Sequence, residues 1–321
     1  MKAKKTAGFV FLVLALAGNL FWLEPSSARA SGCRPLVDAA WLADHRGEAG
    51  IKVLEVGSLY ARLSWLKFVA GHIRGAVYTD YRGDNWRTID AAGVIDQLPP
   101  LDSLTALIGG LGIAADDEVV IAAVENSEYA IGAAARVFWT FRVLGQRKLH
   151  LLDGGVPAYM ALPGADSEAG AGSHTTATYR ASPDMSLRAT AADVSALRNR
   201  PGGLVDYRSP GEFQGRQKIL LSGRRGTIPG ARSLHVAKLI DGQGRLLPVA
   251  ALRTLFEARK VSLSAPLIAF CTTGHRAALG WFVSYELLGD RATRLYDGSM
   301  VDWSLDPSRP VVPGHMTQSP E

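Results

Sequence analysis

The sequence predicts an α/β protein built from two similar domains, each a mainly parallel sheet flanked by helices. Short continuous apolar runs alternate with segments of helical periodicity, the pattern of strands buried on both faces between helices. Three motifs then recur in order. Val53-Leu54-Glu55-Val56-Gly57-Ser58 is echoed by Leu204-Val205-Asp206-Tyr207-Arg208-Ser209, Gly71-His72-Ile73-Arg74-Gly75-Ala76 by Gly226-Thr227-Ile228-Pro229-Gly230-Ala231, and Leu152-Asp153-Gly154-Gly155 by Tyr296-Asp297-Gly298-Ser299. Their nearly constant spacing of about 150 residues describes a duplicated domain, because solenoid repeats run to about 20–50 residues. A length of 321 residues fits two domains.

Taken in chain order, residues 1–30 read as a signal peptide: Lys2, Lys4 and Lys5, the uncharged apolar stretch Thr6 to Leu23, then Ala28-Arg29-Ala30. The expected location is therefore periplasmic or otherwise extracytoplasmic. Ala30-Ser31-Gly32-Cys33 also resembles a lipoprotein box, the alternative being a lipid anchor on Cys33, and Cys33 lies far from the end of the apolar run. Residues 35–161 form the first domain, with strands at Val53 to Ser58, Val119 to Ala123 and Leu149 to Leu152 and a helix over Ala130 to Leu144. Residues 162–183, rich in Gly, Ala, Ser and Thr, read as a linker. In the second domain, residues 184–315, helices are expected over Ala191 to Asn199, Ala250 to Arg259 and Gly274 to Gly289. Strands are expected at Gly203 to Asp206, Pro266 to Phe270 and Thr293 to Tyr296.

Composition narrows the function classes. A chain that is 47% hydrophobic and 20% charged is globular, not disordered. The net charge of +5 comes largely from the leader, and no Lys/Arg block or basic stripe interleaved with aromatics remains, so nucleic acid is not an expected partner. Stable membrane association is expected only if the lipid alternative holds. The two cysteines, Cys33 and Cys271, make neither a disulfide framework nor a cysteine-rich metal site. His, Asp and Cys show no cluster at ligand spacing, so neither metal nor cofactor is expected.

Chemistry concentrates after the Pro266 to Phe270 strand. Cys271-Thr272-Thr273-Gly274-His275-Arg276 places a thiol between a strand end and a helix start, where loop N-H groups and the helix terminus favour thiolate. Thr272 and Thr273 add hydroxyl donors, Gly274 permits a tight turn, and His275 and Arg276 bring donors or charge toward an anion. Such a loop suits a persulfide or an oxyanion. The plainer reading is a buried structural cysteine.

The motifs resemble those of the rhodanese family of sulfurtransferases, in its tandem two-domain form, over nearly all of residues 35 to 315. Val205 to Phe213 resembles the family's first signature, and Gly226 to Ala231 its Gly-His-Ile-Pro-Gly-Ala motif with Thr227 in place of His. Cys271 to Arg276 is similar to its six-residue active loop, and Tyr296 to Ser299, followed by Trp303, to its carboxy-terminal signature. The resemblance implies that Cys271 takes a sulfane sulfur from a small donor and passes it, as a persulfide, to a thiol or cyanide-like acceptor. It implies that Thr272, Thr273, Gly274, His275 and Arg276 form the anion-binding loop, and that Asp206 and Asp297 are structural. Arg208 either contacts substrate or pairs internally with Asp206 or Glu212.

The first domain has no cysteine opposite Cys271, so the resemblance makes it a non-catalytic partner that walls the cleft. Arg62, Lys67 and Arg74 are cleft candidates, although exposed surface charge is the better reading. Thiosulfate is favoured as donor because His275 and Arg276 give the loop basic character, with 3-mercaptopyruvate, a non-turnover sulfur carrier or partner-binding protein, and a cysteine-dependent phosphatase as alternatives. A phosphatase loop normally has five residues between Cys and Arg, whereas Cys271 and Arg276 enclose four.

Overall fold

The computed structural model describes Met1 and residues 34–58, 61–217, 221 and 223–315. The expected signal peptide and Cys33 lie outside the described residues. The described residues between 34 and 315 pack as one compact unit. Its first half runs β1 (Leu36–Val37), α1 (Ala39–His45), β2 (Ile51–Gly57), α2 (Ala61–Ala70), β3 (His72–Ile73), β4 (Val77–Asp80), α3 (Leu101–Gly110), β5 (Glu118–Ala123), α4 (Glu128–Val143), β6 (Leu149–Leu152), α5 (Gly155–Met160) and β7 (Ser167–Glu168). The second half runs α6 (Ala191–Leu197), β8 (Leu204–Asp206), α7 (Pro210–Phe213), β9 (Arg232–Ser233), α8 (Val249–Ala258), β10 (Leu267–Phe270), α9 (His275–Phe282), β11 (Thr293–Leu295) and α10 (Ser299–Leu305).

The duplication is visible in the topology. The first sheet has the order β1-β6-β5-β2-β4 and the second β11-β10-β8-β9, all pairs parallel, so the last four strands of one match the four of the other. A parallel bridge from Arg188 to Leu295 takes the place of β1 in the second half. The central strands are the continuous apolar runs: every residue of β10 is buried, as are Val119 to Ala123 of β5. Both sheet faces are covered, so periodicity of two is absent and length plus flanking turns identify the strands.

The halves meet through α4 and α9, the helices that follow the two equivalent central strands. α4 is buried almost all round, from Ala130 through Phe141, and its Gly132 and Ala133 to Ala135 allow close approach. Phe138 meets Phe282 edge-on, with ring centroids 4.9 Å apart. The helix expected over Gly274 to Gly289 divides: α9 ends at Phe282 and a π-turn spans Val283–Leu287. Ser284 Oγ donates back to Gly280 O at 2.9 Å, a back-bond to the carbonyl four residues earlier of the kind that bends helices.

A reciprocal interlock crosses the interface. Asp153, from the first half's Asp-Gly-Gly, accepts the backbone N-H of Leu246 at 2.8 Å, while Asp297, from the second half's Asp-Gly-Ser, accepts that of Leu98 at 2.9 Å. Each of these leucines lies just ahead of an equivalent helix, α3 or α8, that opens after a proline. Each half thus sends the loop before that helix onto the strand ends of the other. Residues 162–183 run against the first half: β7 pairs antiparallel with β3, Ala177 N donates to Gly109 O at 2.8 Å and Ser182 N to Leu144 O at 2.9 Å.

Candidate active site

Cys271 follows β10 directly and is 1% exposed. Its backbone N-H donates to Ser299 Oγ at 3.0 Å, and Ser299 donates to Tyr296 O at 2.7 Å. Ser299 holds φ 51°, a left-handed conformation unusual for serine and costly unless the surroundings impose it. The N-H of Met300 and of Val301 donate to the carbonyls of Cys271 and Thr272 at 3.2 and 3.1 Å. The carboxy-terminal signature therefore clamps the backbone of the cysteine loop. Gly274 caps α9 at φ 75°, and a Cβ there would lie 2.7 Å from Asp297 Cα and collide with Arg136, so no other residue fits.

The loop faces a cavity of about 630 Å³ lined by Cys271, Thr272, Thr273, His275 and Arg276 together with Glu212, and by Arg82, Arg87, Asp96 and Tyr129 from the first half. Its size suits a small ligand. Arg276 grips Glu212 in a two-pronged pair, Nη1 to Oε2 at 2.8 Å and Nη2 to Oε1 at 2.7 Å, and Nη2 also reaches Thr272 Oγ1 at 3.0 Å. Burial pushes the Glu212 carboxyl up, but the hydrogen bonds and charge of Arg276, with Ser209, hold it down at about 2. The pair therefore stays ionised through the neutral range.

This corrects the expectation that His275 and Arg276 offer basic character to a donor. Arg276 is neutralised by Glu212. His275 Nε2 donates to Tyr129 O at 2.8 Å, and burial, with Arg87 nearby, pushes its pKa down to about 3, so the ring is neutral. Its Nδ1 is buried without a hydrogen-bond partner.

Arg208 pairs internally with Asp206. Its Nε lies 2.9 Å from Asp206 Oδ1, and its Nη2 reaches Asp206 Oδ2 at 2.6 Å and Gly226 O at 2.8 Å, all with the guanidinium 1% exposed. Thr227 Oγ1 donates to the same Asp206 Oδ2 at 2.7 Å. Arg208 bridges the first signature and the Gly-Thr-Ile-Pro-Gly-Ala motif and is not among the residues that line the cavity. The partners of Asp297 come from both halves: besides Leu98 it binds Arg188 at 2.8 Å and lies 3.5 Å from the buried Arg136 of α4.

In the first half, strand registers place Glu55 beside Ala122 as they place Asp206 beside Phe270, so Ala123 stands where Cys271 stands. Glu125, in the loop that follows, pairs with Lys67 at 3.0 Å. Arg74 is engaged by Asp166 at 2.7 Å and Glu168 at 3.0 Å, Arg62 is exposed, and none of the three cleft candidates lines the cavity. Sequence reasoning missed Arg82, Arg87, Asp96, Tyr129 and Ser299. The available signal was the run Tyr81 to Arg87 immediately beyond the carboxyl end of β4, where ligands of parallel sheets gather.

Two equivalent parallel sheets, one of which carries a thiol at the mouth between its central strand and the following helix, define a duplicated α/β protein with a cysteine-loop site. The family model for the rhodanese-like domain matches residues 190–306. A human 3-mercaptopyruvate sulfurtransferase is 30% identical over 287 residues, covering 85% of this chain and 93% of the relative. A sulfur carrier protein of Thermus thermophilus is 28% identical over 292 residues, covering 87% and 96%. The crystal structure of a 3-mercaptopyruvate sulfotransferase from Escherichia coli superposes with a TM-score of 0.70 at 25% identity, covering 83% of this chain and 98% of that one. The chain belongs to the rhodanese family.

Proposed function

We propose that the protein is a sulfurtransferase in which Cys271 carries the sulfur. The observation that carries this reading is the position of Cys271 on the cavity wall, at the end of the central strand and ahead of α9. The positive end of a helix and converging loop N-H groups suit a sulfur anion there. The Cys271 thiolate attacks the outer sulfur of thiosulfate, a new S-S bond forms on the enzyme, the donor S-S bond breaks with its electron pair, and sulfite leaves. With 3-mercaptopyruvate the C-S bond breaks instead, and the thiol proton ends on carbon to give pyruvate. An acceptor such as cyanide or a thiolate then takes the terminal sulfur and restores the Cys271 thiolate.

The locked Arg276 speaks against the phosphatase alternative, because a guanidinium bound through both terminal nitrogens to Glu212 has no fork left for phosphate. The carrier alternative draws support from the Thermus relative and differs only in turnover. Incubating reduced protein with each donor is expected to add one sulfur, about 32 Da, to the peptide holding Cys271, removable by cyanide. An unmodified Cys271 under every donor overturns the assignment, and loading without release to acceptors selects the carrier.

The sequence further supports an exported protein whose mature chain begins near Ser31, with 35–161 as the non-catalytic unit and 184–315 as the catalytic one. Intact mass of natively extracted protein is expected to match a start near Ser31. A retained leader, or lipid on Cys33, rejects the soluble exported form.

A further inference from the structure

We propose that the oxyanion of the sulfur donor is read by Arg82 of the first half, assisted by Arg87, and not by the cations of the cysteine loop. The proposal rests on the sulfur-transfer reading above and names the group that selects the donor. Three arginines line the cavity, Arg82, Arg87 and Arg276, against two carboxylates, Asp96 and Glu212. Arg276 is spent on Glu212, and Arg87 Nη1 pairs with Asp96 at 2.6 Å. Arg82 has no ion-pair partner among the described residues. An anion entering this cavity meets one uncompensated guanidinium, and it comes from the half without a cysteine.

Arg82 is held ready by its backbone. Asp80 Oδ1 accepts the N-H groups of Arg82 and Gly83 at 2.8 and 3.0 Å, while Asp84 Oδ2 accepts from Asp80 N at 2.7 Å and from Thr79 Oγ1 at 2.9 Å. Trp86, buried, donates to the same Thr79 hydroxyl at 2.7 Å. The turn is pinned at both ends, so presenting the guanidinium costs little backbone entropy. Arg87 lies over the buried Tyr81 ring at 4.7 Å, and its Nε is buried without a hydrogen-bond partner. Tyr81 in turn stacks obliquely on His275, centroids 5.2 Å apart. Among the described residues one cation without an ion-pair partner, Arg82, and a second, Arg87, thus line the same cavity as Cys271. A sulfonate-like group and a carboxylate would both pair with the Arg82 guanidinium.

Two measurements on the full chain separate this proposal from the reading beneath it. In the first, loading of Cys271 is followed against thiosulfate and 3-mercaptopyruvate concentration. Arg82→Gln is expected to raise the half-saturating concentration by about 10- to 100-fold, the worth of a charge-assisted hydrogen bond. The donor whose value moves more is the one whose oxyanion Arg82 reads. In the second, the ratio of Cys271 alkylation rates by iodoacetate and iodoacetamide, one anionic and one neutral, is expected to fall by about 10-fold in Arg82→Gln. Arg74→Gln removes an equal charge already engaged by Asp166 and Glu168 away from the cavity, and is expected to leave both readouts unchanged. Unaltered values in Arg82→Gln, or equal changes in Arg74→Gln, overturn the proposal. If no donor loads the wild-type thiol while the alkylation ratio still falls in Arg82→Gln, the anion subsite stands and the sulfur-transfer reading falls.

Discussion

Cys271→Ser is expected to reduce thiosulfate:cyanide turnover to background, a loss of at least about a thousandfold, while the protein stays folded. The serine hydroxyl is not ionised near neutrality and cannot store a sulfane sulfur, so no partial substitute for the persulfide exists. The structural cost is small because the exchange is close in volume and the loop is fixed by groups other than the sulfur. The N-H of residue 271 still meets Ser299 Oγ, and its carbonyl still accepts from Met300. Melting temperature within a few degrees of wild type, with activity lost, is the expected pair of results. The first half has Ala123 at the equivalent place and offers no second thiol. Cys33→Ser is therefore expected to leave transfer nearly unchanged. Substantial turnover in Cys271→Ser removes Cys271 as the nucleophile.

The strands and the duplication were legible in the sequence because both are local. Val119 to Ala123 and Leu267 to Phe270 are unbroken apolar runs bounded by polar turns, and burial between two helical layers leaves no other place for them. The loop from Cys271 to Arg276 was equally legible as a strand-to-helix site. What the sequence did not disclose is where each side chain spends its charge. Arg276 looks like a free cation in the sequence, yet Glu212, sixty-four positions earlier, occupies its fork. His275 looks like a donor to an anion, yet its Nε2 is taken by Tyr129 O of the other half.

The same limit explains Arg82 and Arg87. Sequence repeats show that two domains are alike but not that each covers the other's strand ends. The Asp153 to Leu246 and Asp297 to Leu98 hydrogen bonds, which make that exchange reciprocal, join residues in opposite halves. A pseudo-symmetric pair arranged in this way has two mouths. Only one holds a thiol, and its partner half contributes two of the three arginines that line it. The cavity is shared accordingly: the second half supplies its thiol, Cys271, and the first supplies the part of its wall formed by Arg82, Arg87, Asp96 and Tyr129.

The strand ends of the first half have a stability signature of their own, expected in Glu55→Gln. Glu55 occupies the place of Asp206, but Gly57 stands where Arg208 latches that aspartate, and His72, opposite Thr227, turns its Nδ1 to Phe68 O at 3.0 Å. The carboxyl keeps one bond, from Ile73 N at 2.8 Å to Oε1, and its buried Oε2 has no hydrogen-bond partner. Burial raises its pKa from 4.5 to about 8, only partly opposed by the Ile73 hydrogen bond. The folded protein therefore binds a proton that the unfolded chain releases above about pH 4.5. This contribution to stability is full below that pH and is lost as pH rises through about 8. The window corresponds to at most about 5 kcal/mol, at 1.36 kcal/mol per unit. Glutamine keeps the Oε1 acceptor for Ile73 and cannot ionise in either state, so Glu55→Gln is expected to gain on the wild type steadily between pH 5 and pH 8. Urea unfolding at several pH values across that range measures the difference directly. Parallel stability curves for the two proteins would mean that Glu55 is already ionised in the folded state and that the first half keeps a partner for it.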